Sequence, residues 1–112
     1  MKIHAWRASG SRFRRFNPRR SAMSGIIWFT EDLDQILRGE IGGLEGSKYV
    51  YEVTLDVDRA AGWDEYEKLA LAQVRSMGFD GIHLDEHWVM FDPARIAILK
   101  VHKLADLRRK LT

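Results

Sequence analysis

From Tyr49 to Val57 the residues Tyr49, Tyr51, Val53, Leu55 and Val57 alternate with Val50, Glu52, Thr54 and Asp56. A period of two places the first set on one apolar face of a strand. The same period is shorter over Lys2 to Arg7, where Ile3 and Ala5 alternate with His4 and Trp6, and it predicts a first strand. Residues 8–25, with Ser, Gly, Asn and Pro, predict a loop. Ile26 to Phe29 is a brief apolar run ending at Thr30, an N-cap residue type for a helix over Glu31 to about Arg38. Acids in the first turn suit the positive end of that helix, and the glycines at 39, 42, 43 and 46 stop it. The aromatic pair Trp28 and Phe29 therefore stands at a strand-to-helix junction, where backbone N–H groups and side chains are presented to a cleft.

Further on, Asp64 and Glu67 have the spacing of a capping box, and Tyr66, Leu69, Ala70, Val74 and Met77 line one face of a main helix ending at Gly78. After "GFDG", the segments "IHL", "WVMF" and "RIAILKV" predict three short strands separated by acids and Pro93. Leu104, Leu107 and Leu111, with Arg108, Arg109 and Lys110, predict a basic terminal helix over His102 to Leu111. There is no internal repeat. Strands and helices mix without regular βαβ alternation, so the expected class is α+β.

The 112 residues suffice for one domain and one core, and 46% apolar with 30% charged residues excludes collagen-like and disordered classes. With no Cys, a disulfide framework, a thiolate zinc site and a Cys nucleophile are all excluded. The longest uncharged run, Ser21 to Thr30, is too short to span a membrane, and no apolar segment of signal-peptide type follows the first basic residues. A cytoplasmic location with no membrane contact is the expectation.

Charge is unevenly spread. The first 30 residues hold seven Lys/Arg and no acid, whereas the remainder holds eleven Lys/Arg against sixteen acids. The segment "RFRRFNPRR", with Phe13 and Phe16 interleaved, is suited to phosphate on a nucleotide or a nucleic acid. Its plainer reading is a solvated loop that neutralises the acidic remainder.

Candidate chemistry is sparse. His83, Asp85 and His87 alternate, so an extended strand would project them to one face as metal ligands; no further ligand cluster accompanies them, and no metal is expected. The glycine spacing fits neither a phosphate loop nor a dinucleotide fingerprint, and no Ser stands in a nucleophile elbow. Asp85 and Glu86 late in the chain, set against cations and aromatics early in it, remain as candidates.

The order "WRAS", "GIIWFTED", "YVYEVTLDV", "GFDGI" and "WVMFDPARIAIL" resembles the small ADP-ribosyltransferase-type domains, particularly those of phage polyvalent proteins. The resemblance covers roughly residues 3–101 and is most specific in "GFDGI" and "VMFDPARIAIL". It implies two packed, mainly antiparallel sheets with a cleft for NAD, which is consumed as a substrate and releases nicotinamide. It implies that Arg7, with Ser9 beside it, or else His4, holds NAD phosphate or ribose. Thr30 takes the Ser/Thr place, with Trp28 or Phe29 against nicotinamide. Glu86 is the implied catalytic carboxylate and Asp85 its competitor. The implied acceptor is a macromolecule, a protein in the first instance, in the cytoplasm of a host cell if the chain is phage-encoded and toxin-like. A non-catalytic module of the same fold, binding an acidic protein or nucleic acid through the basic N-terminal third, is the alternative. The ordinary roles for these residues are core packing for Trp28 and Phe29, helix capping for Thr30, an ion pair for Arg7 and turn polarity for Asp85 and Glu86.

Overall fold

The computed structural model describes residues 1–10, 12, 14, 16, 27–40 and 47–110. The expectations for Phe13, Arg15 and residues 17–20 of the basic segment, Ile26, the glycines at 42, 43 and 46, and Leu111 lie outside them. The strands are β1 (Lys2–Ser9), β2 (Ile27–Thr30), β3 (Tyr49–Asp56), β4 (Ala60–Ala61), β5 (Gly81–Leu84), β6 (His87–Met90) and β7 (Ile96–Lys103). The helices are α1 (Leu33–Leu37), α2 (Trp63–Lys68), α3 (Leu71–Ser76) and α4 (Leu104–Arg109), with a 3-10 turn at Pro93–Arg95. The class is α+β, built on one mixed seven-stranded sheet in the order β4-β5-β6-β2-β1-β3-β7.

Among the described residues only the β4–β5 pair is parallel. Where the resemblance implies two separate sheets, a single ladder position, Trp6 opposite Thr30, joins β1 to β2 and makes the sheet continuous. That seam divides the sheet into a β1-β3-β7 half and a β4-β5-β6-β2 half. One core is made by Ala5, Tyr51, Val53 and Leu55 from the first half with Ile27, Phe29, Trp88 and Met90 from the second. Phe16 is 6% exposed and stands edge-on to both Phe29 and Tyr51, at 5.3 and 5.4 Å between ring centroids. This residue of the basic segment is thus a core anchor, held by the area an aromatic ring removes from water. The other sheet face carries two smaller cores. Ile36, Leu37 and Leu104 cover Ala8 and Val50, while Val74 packs with Ala61, Ile82, Leu84, Val89 and Phe91.

Several boundaries differ from the sequence pattern for local reasons. β1 continues through Ser9 because all of Lys2 to Ser9 pairs with β3. Asp32, rather than Thr30, caps α1, accepting from the Asp34 N–H at 3.0 Å. The expected main helix is two helices. Leu69 and Ala70 are extended between them, and the Gln73 side chain accepts from the Ala70 N–H at 2.9 Å, starting α3 afresh. The helix start is capped at Gly62 rather than at Asp64, and from one side only: Glu65 accepts from the Gly62 N–H at 3.0 Å, and glycine has no side chain to return the bond. Met77 is exposed, and His102 belongs to β7, paired with Val50, so the last helix starts only at Leu104.

The two most specific motifs meet. Asp80 of "GFDGI" accepts from the Asp58 and Arg59 N–H groups at 2.8 and 2.9 Å, and Arg95 of the last motif reaches it at 3.2 Å. Burial pushes the Asp80 carboxyl up, but those N–H groups and Arg95 outweigh it and hold it below the usual carboxylate range. At Gly81 a Cβ would lie 2.7 Å from the Val89 carbonyl oxygen and 2.8 Å from the Met90 sulfur, so the close β5–β6 approach requires glycine. Asp92 caps the 3-10 turn, accepting from the Ala94 N–H at 2.9 Å.

Candidate active site

Trp6 of β1 pairs with Thr30 of β2, and Thr30 pairs on its other side with His87 of β6. This transverse row brings together the first and second motifs of the sequence and the residue that precedes the fifth. Thr30 is 1% exposed, so its hydroxyl must be satisfied within the protein. It accepts from the Asp32 N–H at 3.0 Å and donates to Gln35 Oε1 at 3.0 Å. His87 Nε2 lies 3.0 Å from the same oxygen, and Gln35 Nε2 donates to Glu86 Oε1. One amide on α1 therefore links Thr30, His87 and Glu86, which come from β2, β6 and the β5–β6 turn. The Glu86 carbonyl accepts from the Glu31 N–H at 2.7 Å, which fixes the turn against the end of β2.

The Glu86 carboxyl is held below its usual range, first by its own backbone N–H and then by the Gln35 amide. It is ionised throughout neutral and mildly acid pH. Asp85 is exposed with φ of 57°, the left-handed corner of the turn, and its side chain meets Trp63 Nε1 at 3.4 Å. Asp85 is thus turned away to α2, which leaves Glu86 as the carboxylate of the row. The same corner breaks the alternation that would align His83, Asp85 and His87. His83 stacks on Trp88 at 4.2 Å with 8° between planes, and both approach Glu31 Oε2, at 3.2 and 3.1 Å. Among the described residues no group of three or more side chains is arranged to hold a metal.

The remaining candidates lie apart from this network. Arg7 is half-buried and donates to the Trp28 carbonyl at 3.0 Å; desolvation lowers its pKa, though a guanidinium remains charged. Trp28 is half-buried against the α2–α3 core, whereas Phe29 is 3% exposed and committed to the inner core against Phe16, leaving Trp28 as the aromatic candidate of the pair. Ser9 ends β1, and its carbonyl accepts from the Lys48 N–H at 2.9 Å. His4 belongs to a different cluster, in which its Nε2 and that of His102 reach the two oxygens of Glu52 at 2.7 and 2.8 Å. The His102 hydrogen bond first, and that of His4 after it, hold the Glu52 carboxyl below its usual range against the opposing effect of burial.

Gln35 carries no motif and no periodic signal, Glu31 of "GIIWFTED" has only the signal of an acid in a helix's first turn, and only the register of β2 with β6 brings them into the site. The chain matches no family model, no curated protein and no solved structure.

Proposed function

We propose that the protein transfers ADP-ribose from NAD to a macromolecular acceptor and releases nicotinamide. The observation that carries this reading is the row itself. Thr30 stands on one transverse line with Glu86 beside it, β1 and β6 being two inter-strand spacings, about 10 Å, apart, and Arg7 follows Trp6, the β1 member of that line, with its side chain on the opposite sheet face.

The chemistry divides accordingly. The nicotinamide–ribose bond breaks with its electron pair leaving on nicotinamide, and positive charge develops on the ribose. The ionised Glu86, held by Gln35, stabilises that charge and accepts a hydrogen bond from a ribose hydroxyl. The exposed Glu31, Asp34 and Asp85 make this end of the sheet acidic, which favours a cationic nicotinamide ring and disfavours phosphate. Phosphate therefore belongs with Arg7, whose guanidinium keeps donors beyond the one given to Trp28. Trp28 serves as the aromatic wall. An acceptor nucleophile then bonds to the ribose carbon and gives up its proton to solvent.

The test is incubation of the purified protein with NAD, with and without cell lysate, following free nicotinamide by chromatography. Release that Glu86→Gln and Arg7→Ala each abolish supports the reading. Absence of both nicotinamide release and NAD binding overturns it.

A further inference from the structure

At the end of the sheet remote from the β5–β6 turn, an open groove of about 520 Å³ is lined by Lys48, Tyr49, Lys103, Leu104, Ala105 and Arg108, together with Ser47. Its walls follow from the pairing. Tyr49 stands opposite Lys103, the Leu104 N–H donates to the Lys48 carbonyl at 2.9 Å, and Arg108 lies one helical turn beyond Leu104. The Arg108 Nε donates to the Leu37 carbonyl at 3.2 Å, so the guanidinium is fixed to α1 with its remaining donors free to turn outward. Among the described residues none of Lys48, Lys103 and Arg108 forms an ion pair, while the nearby Arg38 and Arg109 are matched by Glu40 and Asp106. All three uncompensated cations are exposed.

We infer that this groove binds the phosphate backbone of single-stranded nucleic acid. Three cations along one channel supply the charge that follows a phosphodiester chain, and Tyr49 and Leu104 supply an apolar floor for bases. An enclosed pocket would suit a mononucleotide, but a groove open along its side lets a polymer enter and leave. The charged heads are spread over the end of β3, the end of β7 and α4, so a single phosphate engages only part of the set. The inference stands independently of the ADP-ribosyl transfer proposed above, since none of these residues belongs to the Thr30–Gln35–Glu86 network.

The experiment is fluorescence anisotropy of a labelled 12-nucleotide single strand with the full chain over a range of salt concentrations. The variant replaces Lys48, Lys103 and Arg108 by Ala, and a second variant replaces Arg12, Arg14, Arg15, Arg19 and Arg20 in the basic segment. Loss of three phosphate contacts should weaken binding at least about tenfold and reduce the slope of log affinity against log salt by about 2. Circular dichroism checks that the exposed substitutions leave the fold intact, and Lys103→Arg should retain binding. The inference is overturned if the intact protein does not bind the strand, or if the groove variant binds like the wild type while the basic-segment variant does not. Displacement by polyglutamate as effective as by unlabelled strand also overturns it, by showing a surface for acidic protein.

Discussion

Asp80 and Glu86 lie six residues apart at the two ends of β5, and both carboxyls are held below their usual range, yet the fold uses them differently. Asp80 accepts two backbone N–H groups and meets an arginine, all three fixed by the chain path of the β3–β4 turn and the 3-10 turn. Glu86 is held by its own N–H and by one side-chain amide, and it is half-exposed. The first carboxylate has exchanged water for permanent partners and closes the structure. The second has one flexible partner and room for another, the condition a group needs if it is to meet a substrate. A depressed carboxyl therefore indicates function only when its partners leave part of it unanswered.

That contrast is open to direct attack. The largest effect expected is on catalysis. Glu86→Gln should lower nicotinamide release roughly 10²–10³-fold, as removal of an electrostatic stabiliser does, with the melting temperature unchanged. Asp80→Ala should do the reverse. It orphans two backbone N–H groups and takes one of Arg95's partners, leaving the Asp56 carbonyl and Asp58, so it should cost about 2–3 kcal/mol, measured by urea unfolding. Gln35→Leu should reduce release about tenfold, and it should also move the acid limb of the pH profile upward. The sign follows because Gln35 helps depress the Glu86 pKa, and without it Glu86 protonates at higher pH. A purely structural Gln35 would lower release without moving that limb. The smallest effect concerns acid stability. The Asp80 pKa is lower in the folded chain than in the unfolded one, so its contribution is complete above the usual carboxylate range and disappears as pH falls through the folded value. The stabilities of the wild type and Asp80→Asn should converge as pH falls from the usual carboxylate range through the lower folded-state value.

How far the sequence reveals this arrangement differs between the same two regions. The β3 face was plain from its alternation, because one buried face imposes a period of two on the residues. The "GFDGI" and "FDPAR" segments were visible because their roles are local: a close approach at Gly81, a cap at Asp92 and a turn anchor at Asp80 each need one residue type. The network around Glu86 is not local. Gln35 and Glu86 are 51 residues apart and meet only through the β2–β6 register. The break between α2 and α3 is not legible because Leu69 remains on the apolar stripe there, and the Gln73 cap overrides the stripe. The partition of the aromatics is also hidden, since period two separates Trp28 from Phe29 but does not say which side is the inner core.

The seam at Trp6 and Thr30 bears on how the chain reaches its fold. In sequence order the chain lays β1 in one half, β2 in the other, β3 in the first, β4 to β6 in the second and β7 in the first again. Neither half is a continuous segment, so neither is complete until both have been threaded together. A single pair at the seam is therefore compatible with one cooperative unfolding transition, and the long loops that must close before β1 meets β3 and β3 meets β7 place folding among the slower, non-local cases.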